Sequence, residues 1–203
     1  MSHNIDKIFY INLNRRTDRR NEIEEELNNM GLQFERFSAI ETDNGTVGCG
    51  YSHLSVLKLA RDGGYKNVLI LEDDFQFLVD KPEFEDYLTK LFNNSHKFDA
   101  CFLSYGCMTS EEIPEASYIK RVLDSQTASG YIVNQHYIPV LIKLYEKSIP
   151  LLESTEQHWN YANDTAWKPL QKTDMWICFD KRIGKQRASF SDTVGRYMEY
   201  PDA

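Results

Sequence analysis

Three consecutive carboxylates, Glu72, Asp73 and Asp74, come directly after the apolar run at residues 68–71. A short uninterrupted apolar run predicts a strand that is covered on both faces. The carboxylates would then lie at the carboxyl edge of a sheet, where ligands bind in open α/β folds. Adjacent carboxylates repel one another, and Mg²⁺ and Mn²⁺ prefer oxygen ligands of this kind. The pattern predicts a divalent cation site, with a solvated acidic turn as the alternative.

Four arginines, Arg15, Arg16, Arg19 and Arg20, follow the first apolar run of the chain. They stand where a strand ends and a helix begins. Backbone N–H groups at a helix N-terminus favour anions, and guanidinium groups match phosphate oxygens. The cluster therefore predicts phosphate binding. The alternative is a solvated helix face, on which Arg20 pairs with Glu24 one helical turn later.

His53 follows a glycine-rich stretch at residues 48–50. It can donate to a phosphate or a base, or it can be a capping histidine whose hydrogen bonds are satisfied within the protein. Two of the four cysteines, Cys101 and Cys178, lie in apolar runs and are predicted to be buried thiols. The four cysteines are Cys49, Cys101, Cys107 and Cys178. They form no CxxC pair and do not have the spacing of a structural zinc site.

Alternating strands and helices must position these groups. Hydrophobic periodicity and turn residues predict the elements. The predicted strands are 7–13, 33–40, 68–71, 98–104 and two short strands within 118–134, and the predicted helices are 18–30, 51–61, 84–93 and 137–147. Thr17 is the expected N-cap of the first helix, residues 41–50 are expected to be turns, and residues 148–164 are expected to be irregular. The alternation predicts an α/β fold with a mainly parallel sheet.

Composition limits the classes of protein. The chain has 203 residues, of which 41% are apolar and 27% charged, as expected for one globular domain. The net charge of −8 argues against nucleic acid as a partner, because phosphate binding depends on Lys and Arg. No signal segment precedes the first strand, and no run approaches the ~18 apolar residues of a membrane span. We therefore expect a cytoplasmic protein without an integral membrane segment.

Five segments, in this order, resemble glycosyltransferase family 25, which includes bacterial lipooligosaccharide galactosyltransferases, animal collagen galactosyltransferases and giant-virus relatives. They are YINLNRRTDRR at 10–20, GCGYSH at 48–53, LEDD at 71–74, SGYIV at 129–133 and SDT at 191–193. The resemblance implies a single GT-A-like, Rossmann-type domain. Residues 1–104 would form the nucleotide-sugar half, and residues 105–203 the acceptor half with the C-terminal tail. If the protein is viral, host cytoplasm or the virion is the expected location.

The resemblance also implies an activity. It is the inverting transfer of a hexose, galactose or glucose, from a UDP-sugar with the help of Mn²⁺ or Mg²⁺. The acceptor would be a glycan, a lipid-linked sugar or a hydroxylysine-bearing protein. Two alternatives stay open: a catalytically silent protein that binds sugar nucleotides or glycans, and a metal-dependent phosphohydrolase or nucleotidyltransferase. The oligomeric state is open as well.

Site residues follow from the same resemblance. Asp74 would bind the metal, with Asp192 as a further ligand. Inversion needs a carboxylate base near the acceptor hydroxyl. Asp164 is preferred because relatives carry a Pro-Val-Asp sequence at this position, although it is also a candidate helix N-cap; Asp174 is the second choice. The donor would be held by Asn12, Leu13, Arg16, Arg19, His53, Glu72, Asp73, Gln186 and Ser191.

Overall fold

The computed structural model describes residues 4–93, 97–192 and 195–200, without the side chains of Cys107 and Met108. The helices are α1 (Thr17–Asn29), α2 (Gly45–Asp62), α3 (Lys81–Asn93), α4 (Ile138–Thr155), α5 (His158–Tyr161), α6 (Asn163–Ala166) and α7 (Lys168–Thr173). The strands are β1 (Lys7–Asn12), β2 (Glu35–Ser38), β3 (Asn67–Glu72), β4 (Phe75–Phe77), β5 (Ala100–Phe102), β6 (Gly106–Glu112), β7 (Ile119–Gln126), β8 (Gly130–Asn134), β9 (Trp176–Phe179), β10 (Gly184–Gln186), β11 (Ser189–Ser191) and β12 (Arg196–Met198).

Eight strands form the central sheet, in the order β2-β1-β3-β8-β5-β9-β7-β6. β1 pairs in parallel with β2 and β3, and β5 pairs in parallel with β9. β8 is antiparallel to both of its neighbours, and so is β7. Six of the eight strands therefore run in one direction, with β7 and β8 reversed. This arrangement confirms the predicted mainly parallel sheet.

Helices cover both faces of the sheet. Ile8 and Tyr10 of β1 belong to one apolar core with residues of α1 and α3, while Phe9 and Ile11 belong to the other core with residues of α2 and α4. Successive side chains of a strand point to opposite faces, so a strand buried on both sides is apolar throughout. The predicted α/β class is confirmed. Within the described residues, no helix is both long and apolar enough to cross a membrane.

The carboxyl ends of β1 and β3 lie side by side and are covered by C-terminal segments. β10 pairs antiparallel with β4, which follows the acidic cluster, and Gln186 is opposite Phe75 in that register. β11 and β12 form a separate two-stranded ribbon. The peptide N–H of Arg187 donates to the carbonyl of Asp74 at 2.6 Å. The last quarter of the chain thus returns to the edge at which the acidic cluster lies.

Helix α2 begins earlier than the sequence predicted, so the expected turn at 41–50 is wrong from Gly45 onward. The Asn44 side chain accepts from the N–H groups of Thr46 and Val47, as an N-cap does. Gly48 and Gly50 are helical, and they lack side chains because the packing around these positions is tight. A Cβ at Gly48 would lie 2.5 Å from the carbonyl oxygen of Ile40.

Two further helix boundaries also differ from prediction. Helix α1 is preceded by Arg16, which makes no side-chain cap hydrogen bond, and Thr17 is its first residue, so Thr17 is not the N-cap. Helix α4 continues through Pro150 to Thr155, where irregular structure was expected. Ile149 and Leu152 are buried and extend the apolar face of the helix. That burial offsets the backbone hydrogen bond that proline removes.

Gly184 provides a test of how tightly β10 packs under the site. A Cβ at this position would lie 2.2 Å from ring atoms of Phe75, which is fully buried. Gly184→Ala should therefore lower the free energy of unfolding by about 1–3 kcal/mol, the usual cost of overpacking. Urea denaturation measures the change. Adding Phe75→Leu should recover part of the loss, whereas additive losses would show that the ring is not the cause.

Candidate functional site

A cavity of about 290 Å³ opens where β1 and β3 end. Its wall includes the 39–43 loop, and Cys49 of α2 and Tyr200 also line it. Most of the residues that the sequence assigned to donor or metal binding line the same cavity: Leu13, Arg19, His53, Glu72, Asp73, Asp74, Gln186, Ser191 and Asp192. Residues separated by more than 100 positions in the sequence are therefore brought to one edge of the sheet.

Asp73 is held by two side chains from β1 and α1. Asn12 donates from Nδ2 to Asp73 Oδ2 at 2.7 Å, and Arg19 donates from Nη1 to Asp73 Oδ1 at 2.9 Å. The same Arg19 nitrogen lies 3.3 Å from Asp74 Oδ2. Arg19 is only 8% exposed, so one buried guanidinium partly neutralises two buried carboxylates.

Asp74 has one carboxylate oxygen whose hydrogen-bonding capacity is unused among the described residues. Its Oδ2 accepts from Gln186 Nε2 at 3.0 Å, whereas its Oδ1 is buried and has no hydrogen-bond partner among the described residues. Burial and the nearby charge of Glu72 raise the pKa of Asp74 from 3.8 to about 7. An oxygen without a donor, in a cluster that carries excess negative charge, is suited to a cation.

The raised pKa of Asp74 predicts a pH-dependent cost to stability in the metal-free protein. Between pH 4 and pH 7 the folded protein holds a proton that the unfolded chain has lost, so this group lowers stability as pH rises. Asp74→Asn should therefore be more stable than wild type at pH 8, on the order of 1 kcal/mol or more. The difference should shrink toward pH 4. Urea denaturation at both pH values measures it, and equal stability at pH 8 would contradict the expectation.

Glu72 is tied to α2 through His53. The Nε2 atom of His53 lies 3.0 Å from Glu72 Oε1, and its Nδ1 lies 3.0 Å from the hydroxyl of Tyr131. His53 is fully buried, so its hydrogen bonds are satisfied within the protein. Burial alone would raise the pKa of Glu72, but the hydrogen bond and charge of His53 outweigh it and lower that pKa. Glu72 is thus ionised, and its negative charge contributes to the raised pKa of Asp74.

Asp192 closes the other side of the cavity by pairing with the arginine cluster. Hydrogen bonds join its two carboxylate oxygens to Arg15 and Arg16. The carbonyl of Phe190 accepts from Arg16 at 3.1 Å and from Arg19 at 3.0 Å. Burial raises the pKa of Asp192, but the arginine hydrogen bonds outweigh it and lower that pKa. The arginines are thus paired with the ribbon, and Arg20 pairs with Glu24 as predicted.

The two candidate bases lie in different surroundings. Asp164 is in α6, where its Oδ2 accepts from the N–H of Thr127 at 3.2 Å. Burial, with a contribution from Glu72, raises the pKa of Asp164. Asp174 directly precedes β9, at the sheet edge opposite the cavity, and accepts from Tyr137 at 2.6 Å. Within the described residues neither aspartate lines the cavity, but Asp164 lies close enough to Glu72 for that charge to act on it.

Sequence reasoning did not assign a role to several residues at the cavity. Arg15 was predicted to bind phosphate only as a member of the arginine cluster and was not among the donor residues; it lines the cavity and pairs with Glu41 and Asp192. Cys49 donates from Sγ to Glu72 Oε1 at 3.6 Å. A correct start for α2 would have placed Cys49 and His53 one helical turn apart on the same face. No pattern in the sequence pointed to Tyr200.

Comparisons with known proteins find similar sequences among glycosyltransferases. The sequence model of "Glycosyltransferase family 25 (LPS biosynthesis protein)" matches residues 5–46. A glycosyltransferase 25 family member of Drosophila melanogaster is 25% identical over 185 residues, which cover 73% of this chain and 30% of that protein. A candidate glycosyltransferase of Acanthamoeba polyphaga mimivirus is 28% identical over 144 residues, which cover 60% of this chain and 44% of that protein. The resemblance to glycosyltransferase family 25 is confirmed.

The family 25 match includes β1, the arginine cluster, α1 and β2. The chain spans less than half the length of the curated relatives it matches. Among solved structures, a glycosyltransferase involved in glycosylation of the major capsid of PBCV-1 is similar, with a TM-score of 0.42 and 12% identity. That similarity covers 86% of this chain and 91% of the other.

Proposed function

We propose that the protein is a metal-dependent, inverting glycosyltransferase that moves a hexose from a UDP-sugar to an acceptor hydroxyl. Galactose and glucose are the candidate hexoses. A glycan, a lipid-linked sugar or a hydroxylysine-bearing protein is the candidate acceptor. The observation that carries the proposal is the buried, unpartnered Oδ1 of Asp74 at the carboxyl edge of the sheet, opposite an arginine cluster. This combination suits a cation and a diphosphate together.

The proposed metal ligands are Asp74 and Asp192, with Mn²⁺ or Mg²⁺ as the ion. Asp74 fits this role because one of its oxygens has no donor among the described residues. Asp192 fits it once the carboxylate leaves Arg15 and Arg16, since both of its oxygens are paired with them. A bound divalent ion would supply Lewis-acid neutralisation of the charge that develops on the leaving UDP.

The donor would be oriented by the residues at the ends of β1 and β3. Asn12 and Arg19 fix Asp73, so that this carboxylate can accept from a ribose or complete the metal shell through water. If Asp192 held the metal, Arg15 and Arg16 would become available for the phosphate oxygens of the donor. His53 holds Glu72 in its ionised form at the back of the cavity. Leu13, Gln186 and Ser191 line the remaining wall of the cavity.

Asp164 is the proposed base that takes the proton from the acceptor hydroxyl. A raised pKa favours this role, since a base with a pKa nearer neutrality accepts a proton more readily. Asp164→Asn should lower kcat by about 10²–10⁴-fold and leave UDP affinity nearly unchanged. Asp174→Asn is the matched control, because Asp174 lies at the opposite sheet edge, and it should retain turnover.

The rate of transfer or of donor hydrolysis, together with UDP affinity, tests this assignment. Unchanged turnover in Asp164→Asn would exclude Asp164 as the base. If wild type and Asp164→Asn both bind UDP and neither turns over a donor, the catalytically silent alternative is favoured.

Binding of UDP and of uridine, each with and without Mn²⁺, tests the proposed donor site. We expect UDP to bind more tightly with Mn²⁺ and uridine affinity to be independent of the metal, because only UDP carries phosphates. Isothermal titration calorimetry measures both affinities. Equal effects of Mn²⁺ on the two ligands would contradict a metal–diphosphate contact.

A further inference from the structure

Cys49, His53 and Glu72 form a second cluster of possible metal ligands in the cavity wall. The sulfur, imidazole and carboxylate donor atoms all lie within 4.8 Å of one another. Glu72 Oε1 is 3.0 Å from His53 Nε2 and 3.6 Å from Cys49 Sγ. A tetrahedral zinc ion with normal bond lengths separates its ligand atoms by about 3.3–3.6 Å. The two separations that involve Glu72 thus lie within about 0.4 Å of those of zinc ligands, and the sulfur and the imidazole nitrogen lie within 4.8 Å of each other.

Two of these side chains, His53 and Cys49, have hydrogen-bond partners that can support them as metal ligands. The Tyr131 hydroxyl lies 3.0 Å from His53 Nδ1, so Nδ1–H can donate to it and leave Nε2 free to bind an ion. Asn163 donates from Nδ2 to Cys49 Sγ at 3.6 Å, which suits a thiolate. Metal-binding histidines nearly always donate their second ring N–H in this way.

Rigid elements carry the cluster. Cys49 and His53 are four residues apart on α2, so they lie on one helix face, and Glu72 is the last residue of β3. Both Tyr131 and Asn163 are buried, with exposures of 0% and 6%. The ligand atoms therefore need only small movements to close around an ion.

The chemistry of this donor set differs from that of Asp73 and Asp74. Sulfur and imidazole ligands select borderline-soft ions such as Zn²⁺, whereas carboxylate oxygens alone suit Mg²⁺ or Mn²⁺. Three protein ligands leave a fourth tetrahedral position open, and all three residues line the cavity.

We propose that Cys49, His53 and Glu72 bind one Zn²⁺ ion, with a fourth position open to the cavity. The site is distinct from the Mn²⁺ or Mg²⁺ site of the proposed function and does not depend on it. Binding displaces two protons to solvent, the thiol proton of Cys49 and the Nε2 proton that His53 directs at Glu72, while Nδ1 of His53 keeps its proton. Tyr131 and Asn163 hold the imidazole and the thiolate in place. The open position takes a water molecule or an anionic oxygen of a ligand.

Titration of the metal-free full chain with Zn²⁺ against a competing chelator tests the proposal without any donor or acceptor. Wild type should bind one ion. Cys49→Ala should weaken binding by more than about 100-fold, and Tyr131→Phe, which removes an outer partner, by about 10–100-fold. Cys101→Ala removes a buried thiol outside the cluster and should bind Zn²⁺ as wild type does.

Co²⁺ provides a spectroscopic check that separates the two proposed metal sites. Wild type loaded with Co²⁺ should show the thiolate-to-metal charge-transfer absorption of a cysteine ligand. Asp74→Asn should retain this absorption, and Cys49→Ala should lose it. Thermal unfolding of each metal-free variant establishes that it is folded. If Cys49→Ala does not fold, the cobalt spectrum of wild type and the Zn²⁺ affinity of Tyr131→Phe test the proposal in its place. No Zn²⁺ uptake by wild type, or no thiolate band, would overturn the proposal.

Discussion

Asp74→Asn should lose Mn²⁺-dependent binding of UDP, with affinity falling by about 100-fold or more. A metal bound by this carboxylate stabilises phosphate charge by several kcal/mol, and each 1.4 kcal/mol is a factor of ten. The Asp74 Oδ1 is buried and has no hydrogen-bond partner among the described residues, and Arg19 and Gln186 contact only the other oxygen, Oδ2, so Oδ1 is available to an ion. Calorimetric titration of UDP in the presence of Mn²⁺ measures the loss.

Asp62→Asn is the matched control for this experiment. Asp62 is exposed at the end of α2, where it pairs with Arg61, and it should bind UDP as wild type does. The greater stability expected for Asp74→Asn at pH 8 would show that lost binding is not caused by unfolding. Tight, Mn²⁺-dependent UDP binding by Asp74→Asn would remove Asp74 from the metal site.

Arg19→Ala should destabilise the metal-free protein by about 3–5 kcal/mol, the usual cost of removing one partner from a buried ion pair. Its guanidinium contacts Asp73 and Asp74, donates to the carbonyl of Phe190 at 3.0 Å, and is 90% buried as a side chain. Removing it leaves two buried carboxylates without their cation. Urea denaturation at pH 8 without metal measures the change.

Arg20→Ala is the neighbouring control, since Arg20 is exposed and pairs with Glu24 one turn along α1. It should change stability little. Mn²⁺ should stabilise Arg19→Ala more than wild type, because the ion replaces part of the lost positive charge. If Arg19 also contacts phosphate, Arg19→Ala should weaken UDP binding more than uridine binding. Equal stability of the two variants would show that Arg19 does not compensate the carboxylates.

Much of the fold could be predicted because the decisive patterns are local. The uninterrupted apolar run at 68–71 is buried on both faces as β3, and it ends at the acidic cluster as expected. Cys101 and Cys178 lie in apolar strands and are buried. The predicted donor residues of β1 and β3 meet because parallel neighbouring strands place their carboxyl ends at one edge.

The remaining features depend on tertiary contacts that no short segment reveals. Gly48 and Gly50 are typical of turns, yet both lie in α2. They are glycines because Ile40 and Ile149 approach the helix closely at these positions. Pro150 is tolerated because the neighbouring Ile149 and Leu152 extend the buried face of the helix. The pairing of Asp192 with Arg15 and Arg16 joins residues more than 170 positions apart. The edge at which Asp174 lies could not be predicted because it depends on the direction in which β9 runs in the sheet.

Hydrolysis of a panel of UDP-sugars, with and without Mn²⁺, tests the proposed activity most directly. Water can replace the unknown acceptor, so the preferred donor is revealed by the release of UDP. We predict Mn²⁺-dependent hydrolysis of UDP-galactose or UDP-glucose that is lost in Asp74→Asn and retained in Asp62→Asn. Release of UDP that does not depend on the metal, or that persists in Asp74→Asn, would contradict the proposed function.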